Sequence, residues 1–497
     1  MKKYIIIKLN VSSICVLLIS TLLVFNVSCS DFESFQKDPN RATEASPALL
    51  LTGISVNAFS VITTEVLAPC RMMVNTEGVW NAQYFYWQRA GFGGYDQLRQ
   101  VKKLQEEAER TGEENYIALA YFFKSWYTYN LTLTFGDIPY SDAMKGDEGN
   151  FNPKYDRQKD VFIGILNDLR TAQELLSEEK GNINGDVIFD GNLQKWRKAI
   201  NSFRLRVLMT LSKKENDQDL KVVQEFNEIF SNSTKYPIFT SNDDNVELEF
   251  IDKEGNRYPY FETKSFHTAY YLEESFIDNL KERKDPRLFI YARPDENAVK
   301  SGLSRDDFNA YSGLKGSDAI STNVERVANG EGSRINERYF QDPINEPSVA
   351  LSYDEIEFTL AEAASRGWIQ SDAETHYKNG IKASMKFYSI DDQRIVNYLA
   401  EPNVIFRKSN AIEMIVTQKY FSCYMRLGWL PFYTHLRTGF PYFNNDGAGI
   451  LNNGKLPKRW MYPESEYLYN KENVEQAVKD QGFTKDDINE TPWIFQD

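Results

Sequence analysis

Residues 352–388 contain the feature that most constrains the fold of this chain: two amphipathic helices joined by a short turn. The first helix is predicted to begin at Ser352 and the second at Ser371, because each serine opens a Ser-x-x-Glu capping box. Gly367 is expected to end the first helix. Apolar residues recur at helical spacing on both helices, at Ile356, Leu360 and Ala363 or Ala364 on the first, and at Tyr377, Ile381, Met385 and Tyr388 on the second. One such pair cannot bury its own apolar face, so it is expected to stack on others, as in tetratricopeptide-type proteins.

Other segments repeat the helical pattern and predict further helices. Thr111 and Glu114 form another potential capping box, and Asp156 is expected to cap the helix that follows. The apolar stripes of these helices are Tyr116, Ala120, Phe123 and Tyr127, then Val161, Ile165, Leu169 and Ala172, then Trp196, Ile200, Phe203 and Val207. The sequence therefore predicts a mainly all-α fold, a scaffold of tetratricopeptide-like helix pairs with minor β structure.

The predicted helix pairs are dispersed, and no strict repeat period relates them. Long insertions over residues 214–350 and 440–497 are rich in Asn, Asp, Gly, Pro and Tyr, a composition typical of loops. Loops this long in a compact domain are usually functional. We expect one helical domain over residues 49–497 that carries these loop-rich insertions.

The N-terminus predicts a lipoprotein signal peptide over residues 1–28. Lysines precede an apolar run of 12 residues, 14–25, which is too short to span a bilayer but suits a secretory signal. Ser28 directly before Cys29 indicates cleavage there and lipid attachment to the Cys29 thiol, with ordinary secretion as the alternative. Residues 29–48 are polar and are predicted to form a lipidated tether.

The charge of the chain excludes several classes of partner. The formal net charge is -14, and removal of the signal peptide, with its three lysines and no acid, lowers it to -17. A chain this acidic has no attractive net field for nucleic acid or for an anionic lipid surface. No later segment is apolar enough to cross a membrane, so the body is expected to be soluble and attached through its N-terminus.

Two cysteines remain in the body, Cys70 and Cys423. An extracytoplasmic compartment permits a disulfide. Two distant cysteines do not make a disulfide framework, however, so a bond between them and two separate buried thiols both remain open.

Signals for catalysis are weak. The three histidines, His267, His376 and His435, have no His or Cys three or four residues away, which disfavours a zinc site. The run GFGGY lacks the spacing of a phosphate-binding loop. We therefore expect no enzyme activity, no cofactor and no metal. Because acids are plentiful, the carboxylate pair of a glycoside hydrolase acting on a surface-bound polysaccharide remains an alternative.

Aromatic residues give a stronger functional signal, above all in VWNAQYFYWQRAGFGGYDQ, residues 79–97. Flat rings with polar tips suit sugars, because a pyranose offers a C–H face for stacking and hydroxyls for amide or guanidinium groups. The predicted sugar-binding residues are Trp80, Gln83, Tyr84, Tyr86, Trp87, Arg89 and Tyr95. About half of the rings are expected to be core. Weaker aromatic candidates are Tyr258, Tyr260 and Phe261, with Tyr291 and Tyr311.

The stretch LTFGDIPYSDA, residues 133–143, is expected to stop a long aromatic helix. Gly136 permits a positive φ, Asp137 can accept turn hydrogen bonds and Pro139 forbids continuation of the helix. Phe135 and Tyr140 are expected to hold this turn against the core. The stretch is therefore interpreted as structural.

An ordered set of motifs resembles the SusD/RagB family of nutrient-binding outer-membrane lipoproteins. The motifs are TFGDIPYSDA, PKYDRQKDVFIGILNDL, GDVIFDGNLQKWRKAINSFRLRVLM, DPRL, YSGLKG, EIEFTLAEAASRGW, HLRTGFP and PKRWMYPESEYLYN, in this order along nearly the whole mature chain. The acidic SDFE directly after Cys29 also resembles the signal that directs bacterial lipoproteins to the cell surface. Many relatives carry two arginines before the Thr-Gly-x-Pro motif, whereas here Leu436 takes the first position and Arg437 the second.

The resemblance implies a protein that breaks no bond. Such proteins capture an oligosaccharide or other nutrient at the cell surface and deliver it to a SusC-type TonB-dependent outer-membrane transporter. Their helix pairs would face the transporter and their loop-rich side would hold the ligand. A helical scaffold that binds only protein is a further alternative.

Overall fold

The computed structural model describes residues 44–497, and this part of the chain is mainly helical. Its helices in the N-terminal half are α1 Pro47–Phe59, α2 Gly93–Thr111, α3 Glu114–Phe135, α4 Gln158–Leu175, α5 Leu193–Thr210 and α6 Val222–Ser231. The middle carries shorter helices, α7 Ser265–Thr268, α8 Glu274–Glu282, α9 Leu288–Tyr291, α10 Glu296–Lys300, α11 Ile320–Ala328 and α12 Arg338–Gln341. The C-terminal part contains α13 Tyr353–Ser365, α14 Ala373–Phe387, α15 Asp392–Leu399, α16 Ala411–Ser422, α17 Leu430–Thr438, α18 Glu464–Tyr469 and α19 Lys471–Asp480.

The strands of residues 44–497 form two small antiparallel sheets. One pairs β1 (Met73–Asn75) with β3 (Tyr270–Leu272), so that Asn75 lies opposite Tyr270. The other pairs β2 (Val246–Leu248) with β4 (Ser348–Leu351) and has an irregular register after Val246. A mainly α-helical fold with minor β structure is therefore confirmed.

Pro47–Asp497 form one compact unit. The predicted signal peptide, the lipidation site Cys29 and nearly all of the predicted tether lie outside the described residues. Within the described part, no helix combines the length and the apolar character needed to cross a bilayer.

The helices pack as pairs of sequence neighbours. In α13 and α14, the predicted hairpin forms, and its expected apolar residues are buried. Helices α2, α3 and α4 form a second, continuous series, and α5 contacts both α4 and α13. Because α5 touches both groups, it joins the N-terminal helices to the C-terminal pair in one hydrophobic core.

The predicted helix ends are partly confirmed. Gly367, with φ 76°, follows the last turn of α13 as expected. Ser352 precedes α13 but makes no capping bond, and the side chain of Asp372, not that of Ser371, accepts the Thr375 amide at the start of α14. Ser371 instead shares a hydrogen bond with His376.

Two other predicted caps were wrong, because neither residue occupies the capping position of the helix that follows it. Thr111 is the last residue of α2, and the left-handed Gly112 (φ 73°) follows it. Asp156 accepts the amides of Tyr140 and Ser141 instead of capping α4.

The TFGDIPY turn is built as a structural stop, as predicted. Gly136 has φ 90°, and the carboxylate of Asp137 accepts the first amide of α4 at 2.8 Å, from Gln158. Phe135 is buried and stacks on Tyr462. The Tyr140 ring lies over Gly164 of α4, where an added Cβ would come within 2.4 Å of it. This turn thus fixes the angle between α3 and α4.

Buried acids on α13 are paired with basic side chains from several other elements. Asp354 pairs with Arg426 after α16, Glu355 with Arg206 of α5, Glu357 with His376 of α14, and Glu362 with Arg437 of α17. An ionised group this deeply buried is tolerated only when it is paired. The acids of α13 therefore connect four neighbouring segments to one central helix.

Cys70 and Cys423 are both buried and both free. Burial raises the pKa of each thiol, so both stay protonated at neutral pH. Of the two possibilities that the sequence left open, the structure has the separate thiols.

Candidate functional site

A pair of half-buried aromatic rings forms the best candidate binding surface, and Trp80 and Tyr270 provide it. Their ring centroids lie 6.2 Å apart with only 20° between the planes. Both side chains are half-buried, so each is supported by the core on one side and reaches the surface on the other. Partly exposed aromatic rings suit the apolar face of a sugar. Trp80 and Tyr270 together are called the platform below.

The sheet of β1 and β3 supports the platform. Tyr270 opens β3 opposite Asn75, and the chain from Asn75 turns through residues 76–79 to reach Trp80. The Thr76 amide donates to Ala269 at 3.0 Å, and the Thr268 hydroxyl donates to the carboxylate of Glu77. These bonds fix the loop beside the strand that carries Tyr270.

A ladder of rings continues from the platform into the core. Tyr270 meets Phe266 edge to face at 5.2 Å, and Phe266 stacks on Tyr260 at 4.6 Å. Tyr260 in turn contacts Tyr258 and accepts a hydrogen bond from the Thr64 amide at 2.7 Å. The weaker aromatic candidates Tyr258 and Tyr260 therefore support the platform from behind.

Three of the seven predicted sugar-binding residues are buried. Trp87 is 7% exposed, stacks on Trp460 at 4.9 Å and donates its indole N–H to the Arg459 carbonyl. Gln83 is fully buried and accepts the Asn75 amide at 2.8 Å. Tyr84 is 2% exposed. These side chains face the core of the protein.

Two further predicted residues are held by contacts with distant segments. The Arg89 guanidinium donates to Asp486 at 2.8 Å and lies 3.1 Å from the carboxylate of Glu464, so it connects the loop to the C-terminal region. The Tyr95 hydroxyl donates to the Pro139 carbonyl at 2.6 Å and so supports the TFGDIPY turn.

Trp80 and Tyr86 are the remaining predicted residues, and both reach the surface. Tyr86 is 42% exposed, and Trp80 is half-buried in the platform. The segment is a loop rather than a helix up to Gly93, where α2 begins, which explains why helical spacing did not separate its buried rings from its exposed ones. Sugar binding by all seven residues stays a prediction.

Tyr270 was missed by the sequence reasoning. It lies 190 positions after Trp80, and only the pairing of β1 with β3 brings the two rings together. The dipeptide YY at the start of a short apolar run, YYL, was its one available signal. Burial raises the pKa of the Tyr270 hydroxyl, so it remains a hydrogen-bond donor at neutral pH.

Two of the three histidines make structural contacts, and the acidic residues of the described chain do not gather around any of them. Across residues 44–497, no three His, Cys, Asp or Glu side chains gather into a group that could hold a metal ion. Burial lowers the pKa of His435 to about 4, and this ring shares a hydrogen bond with the Pro441 carbonyl. His376 pairs with Glu357.

The fold is a scaffold of stacked helix pairs, and its loops carry half-exposed aromatic rings. Such an arrangement is suited to ligand capture. The chain belongs to the SusD-like family, because a family model described as starch-binding and associating with the outer membrane matches residues 39–463. None of the curated proteins compared with the chain matches it.

Solved structures of SusD homologues agree with this assignment. A SusD homologue from Bacteroides fragilis is 40% identical over 91% of this chain and all of its own, with a TM-score of 0.84. A second one from the same species is 34% identical with the same coverage and a TM-score of 0.86. A candidate outer-membrane nutrient-binding protein from Bacteroides vulgatus is 39% identical, again over 91% of this chain and all of its own, with a TM-score of 0.85.

Proposed function

We propose that this protein captures an oligosaccharide at the cell surface and delivers it to a SusC-type TonB-dependent transporter in the outer membrane. The observation that carries the proposal is the platform, two stacked, nearly parallel rings that are supported by the core and reach the surface. The family description, starch-binding, and a structural neighbour named as a chitin-binding protein (23% identical, TM-score 0.75) are consistent with a glycan ligand.

The same proposal assigns the protein a place in the cell. Cleavage before Cys29 and lipidation of its thiol would anchor residues 29–48 as a tether and leave a helical domain over residues 49–497 at the cell surface. The transporter supplies the energy for uptake, so the binding protein needs no catalytic group. Purification of the lipidated protein from outer membranes is expected to bring down a large β-barrel protein, and recovery of the protein alone would argue against the partnership.

Replacement of Trp80 by alanine tests the platform. We expect Trp80→Ala and Tyr270→Ala each to weaken glycan binding about tenfold or more, because stacking energy on the ring is lost. Calorimetry against plant, host and microbial polysaccharides measures this effect. Trp493→Ala is the matched control, because Trp493 is another half-buried tryptophan and lies against Lys214 instead.

Several outcomes would contradict the proposal. Unchanged affinity in both platform variants would remove the platform as the site. Release of new reducing ends from a bound polysaccharide would favour a glycoside hydrolase. If no glycan raised the melting temperature of the protein, a scaffold that binds only proteins would be favoured.

A further inference from the structure

A second candidate site lies apart from the platform. It is an open cleft of about 1310 Å³ between the loop before α5, strand β2, the segment before β4 and the end of α14. Neither Trp80 nor Tyr270 lines it. The cleft therefore needs an explanation of its own.

The floor of the cleft contains buried polar groups without hydrogen-bond partners. Glu346 is 4% exposed and lines the cleft, yet neither of its carboxylate oxygens accepts a hydrogen bond within the described residues. Its charged neighbour is Arg338, whose Nη1 lies 3.2 Å from Oε2. The Tyr388 hydroxyl and both amide atoms of Asn345, which also line the cleft, have no partner either.

More unpartnered hydroxyls lie behind the floor. Those of Tyr258, Tyr339 and Tyr424 are buried, and none has a hydrogen-bond partner among the described residues. Burial, and after it the charge of Glu346, raises the pKa of all three phenols, so they stay protonated at neutral pH and can donate hydrogen bonds. Buried polar atoms without partners are costly, so such a cluster at one point is suited to a polar ligand.

The walls of the cleft are acidic. Asp190, Asp243 and Glu249 line it as exposed carboxylates, and no Lys or Arg of the described residues pairs with them. Two lysines also line the cleft, fewer than the exposed carboxylates. Lys195 lies over the Phe189 ring, and Lys386 is paired with Asp392 at 2.6 Å. The cleft therefore favours a positively charged ligand over a neutral one and disfavours an anionic one.

We propose that this cleft binds an oligosaccharide with free amino groups, whose hydroxyls bind the Glu346, Asn345 and Tyr388 floor and whose ammonium groups face the acidic walls. Sugar hydroxyls both donate and accept hydrogen bonds, as the mixture of carboxylate, amide and phenol on the floor requires. An ammonium group offers three donors and a charge to the wall carboxylates. The proposal goes beyond glycan capture at the platform, because it assigns a different site and a different charge class of ligand.

Calorimetry on the full-length protein with a glucosamine oligomer tests the proposal, with the N-acetylated oligomer of equal length as a neutral control. The free amine form is expected to bind at least about tenfold more tightly, since an acetyl group removes the charge. Glu346→Gln keeps the shape of the floor and is expected to weaken binding about tenfold, as is Tyr388→Phe, which removes only a hydroxyl. Glu472→Gln, an exposed acid on α19, is the matched control and is expected to bind as the wild type does.

The proposal is overturned if the two oligomers bind equally, if neither binds, or if a lysine peptide binds in place of the amino sugar. If Trp80→Ala lost glucosamine binding while both floor variants kept it, the ligand would belong to the platform. That result would also overturn the proposal. If Glu346→Gln does not fold, Tyr388→Phe decides the result, because it leaves the charge pair of Glu346 and Arg338 in place.

Discussion

Glu362 is a buried carboxylate whose ionised form is stabilised by arginines on two sides. Arg437 donates to both of its oxygens, at 2.5 and 2.8 Å, and Arg366 lies 2.9 Å from one of them. Burial alone would raise the pKa of Glu362, but the charge and hydrogen bonds of Arg437 outweigh it and hold the pKa at about 2. Leu436 occupies the neighbouring position, so Arg437 makes this connection between α17 and α13 without a second arginine from the motif.

Glu362→Gln is expected to lower the free energy of unfolding by about 3 kcal/mol at pH 7. The ionised carboxylate stabilises the fold above pH 4.5, the ordinary value for glutamate, and this stabilisation is lost as the pH falls towards 2. The gap between wild type and variant should therefore close over that range. Urea denaturation at a series of pH values measures it, with Glu472→Gln as the exposed control. A gap that does not change with pH would contradict the assigned pairing.

The α13–α14 hairpin has a glycine, Gly380, at a close contact between the two helices. An added Cβ at Gly380 would lie 2.7 Å from the ring of Phe358 on α13. Phe358 is fully buried and cannot swing away without opening the core. A small residue at this position of α14 is therefore a packing requirement.

Gly380→Ala is expected to destabilise the protein by about 1–3 kcal/mol, because overpacking outweighs the better helix propensity of alanine. Gly53→Ala in α1 is the matched control: this glycine is also helical, but nothing lies within 4 Å of its added Cβ. The control should be stabilised by about 0.5–1 kcal/mol. Thermal unfolding compares the two, and a shift in the same direction for both would refute the close approach.

Helix existence was predictable from the sequence, whereas helix ends and the site were not. The apolar stripes of α4 and α13 have a period that only a helix can bury on one face, so they could be recognised locally. The capping residues failed where side chains had stronger distant partners: Glu355 pairs with Arg206 instead of closing a capping box. The platform could not be predicted either. It depends on strand pairing between Asn75 and Tyr270, which are far apart in the sequence and share no local pattern.

At the scale of the whole molecule, the two sites lie on segments that the helical scaffold holds in place. The platform depends on a loop that is connected through Arg89 to Asp486 near the C-terminus. The cleft lies where the loop before α5 meets the end of α14. Both arrangements require the N-terminal and C-terminal helices to remain together, and α5 helps to join them through its contact with α13.

Arg206 of α5 is the charged link in that contact. Its guanidinium donates to both oxygens of Glu355 and to the Ala350 carbonyl at 2.8 Å, and Glu355 is fully buried. Arg206→Met would leave Glu355 buried with Lys419, 4.0 Å away, as its nearest cation. We therefore expect a loss of about 3–5 kcal/mol in the free energy of unfolding.

The double variant Arg206→Met/Glu355→Leu distinguishes two contributions to the free energy of unfolding. One is the penalty of leaving Glu355 buried without its partner, and the other is the net contribution of the ion pair. Replacing both members with apolar groups removes the buried carboxylate, so the double variant should be more stable than Arg206→Met alone, although the Ala350 carbonyl loses a donor. Urea denaturation of the two single variants and the double variant completes the cycle. If the double variant instead lost the sum of the single losses, Arg206 and Glu355 would act independently, and α5 and α13 would be held together by apolar packing alone.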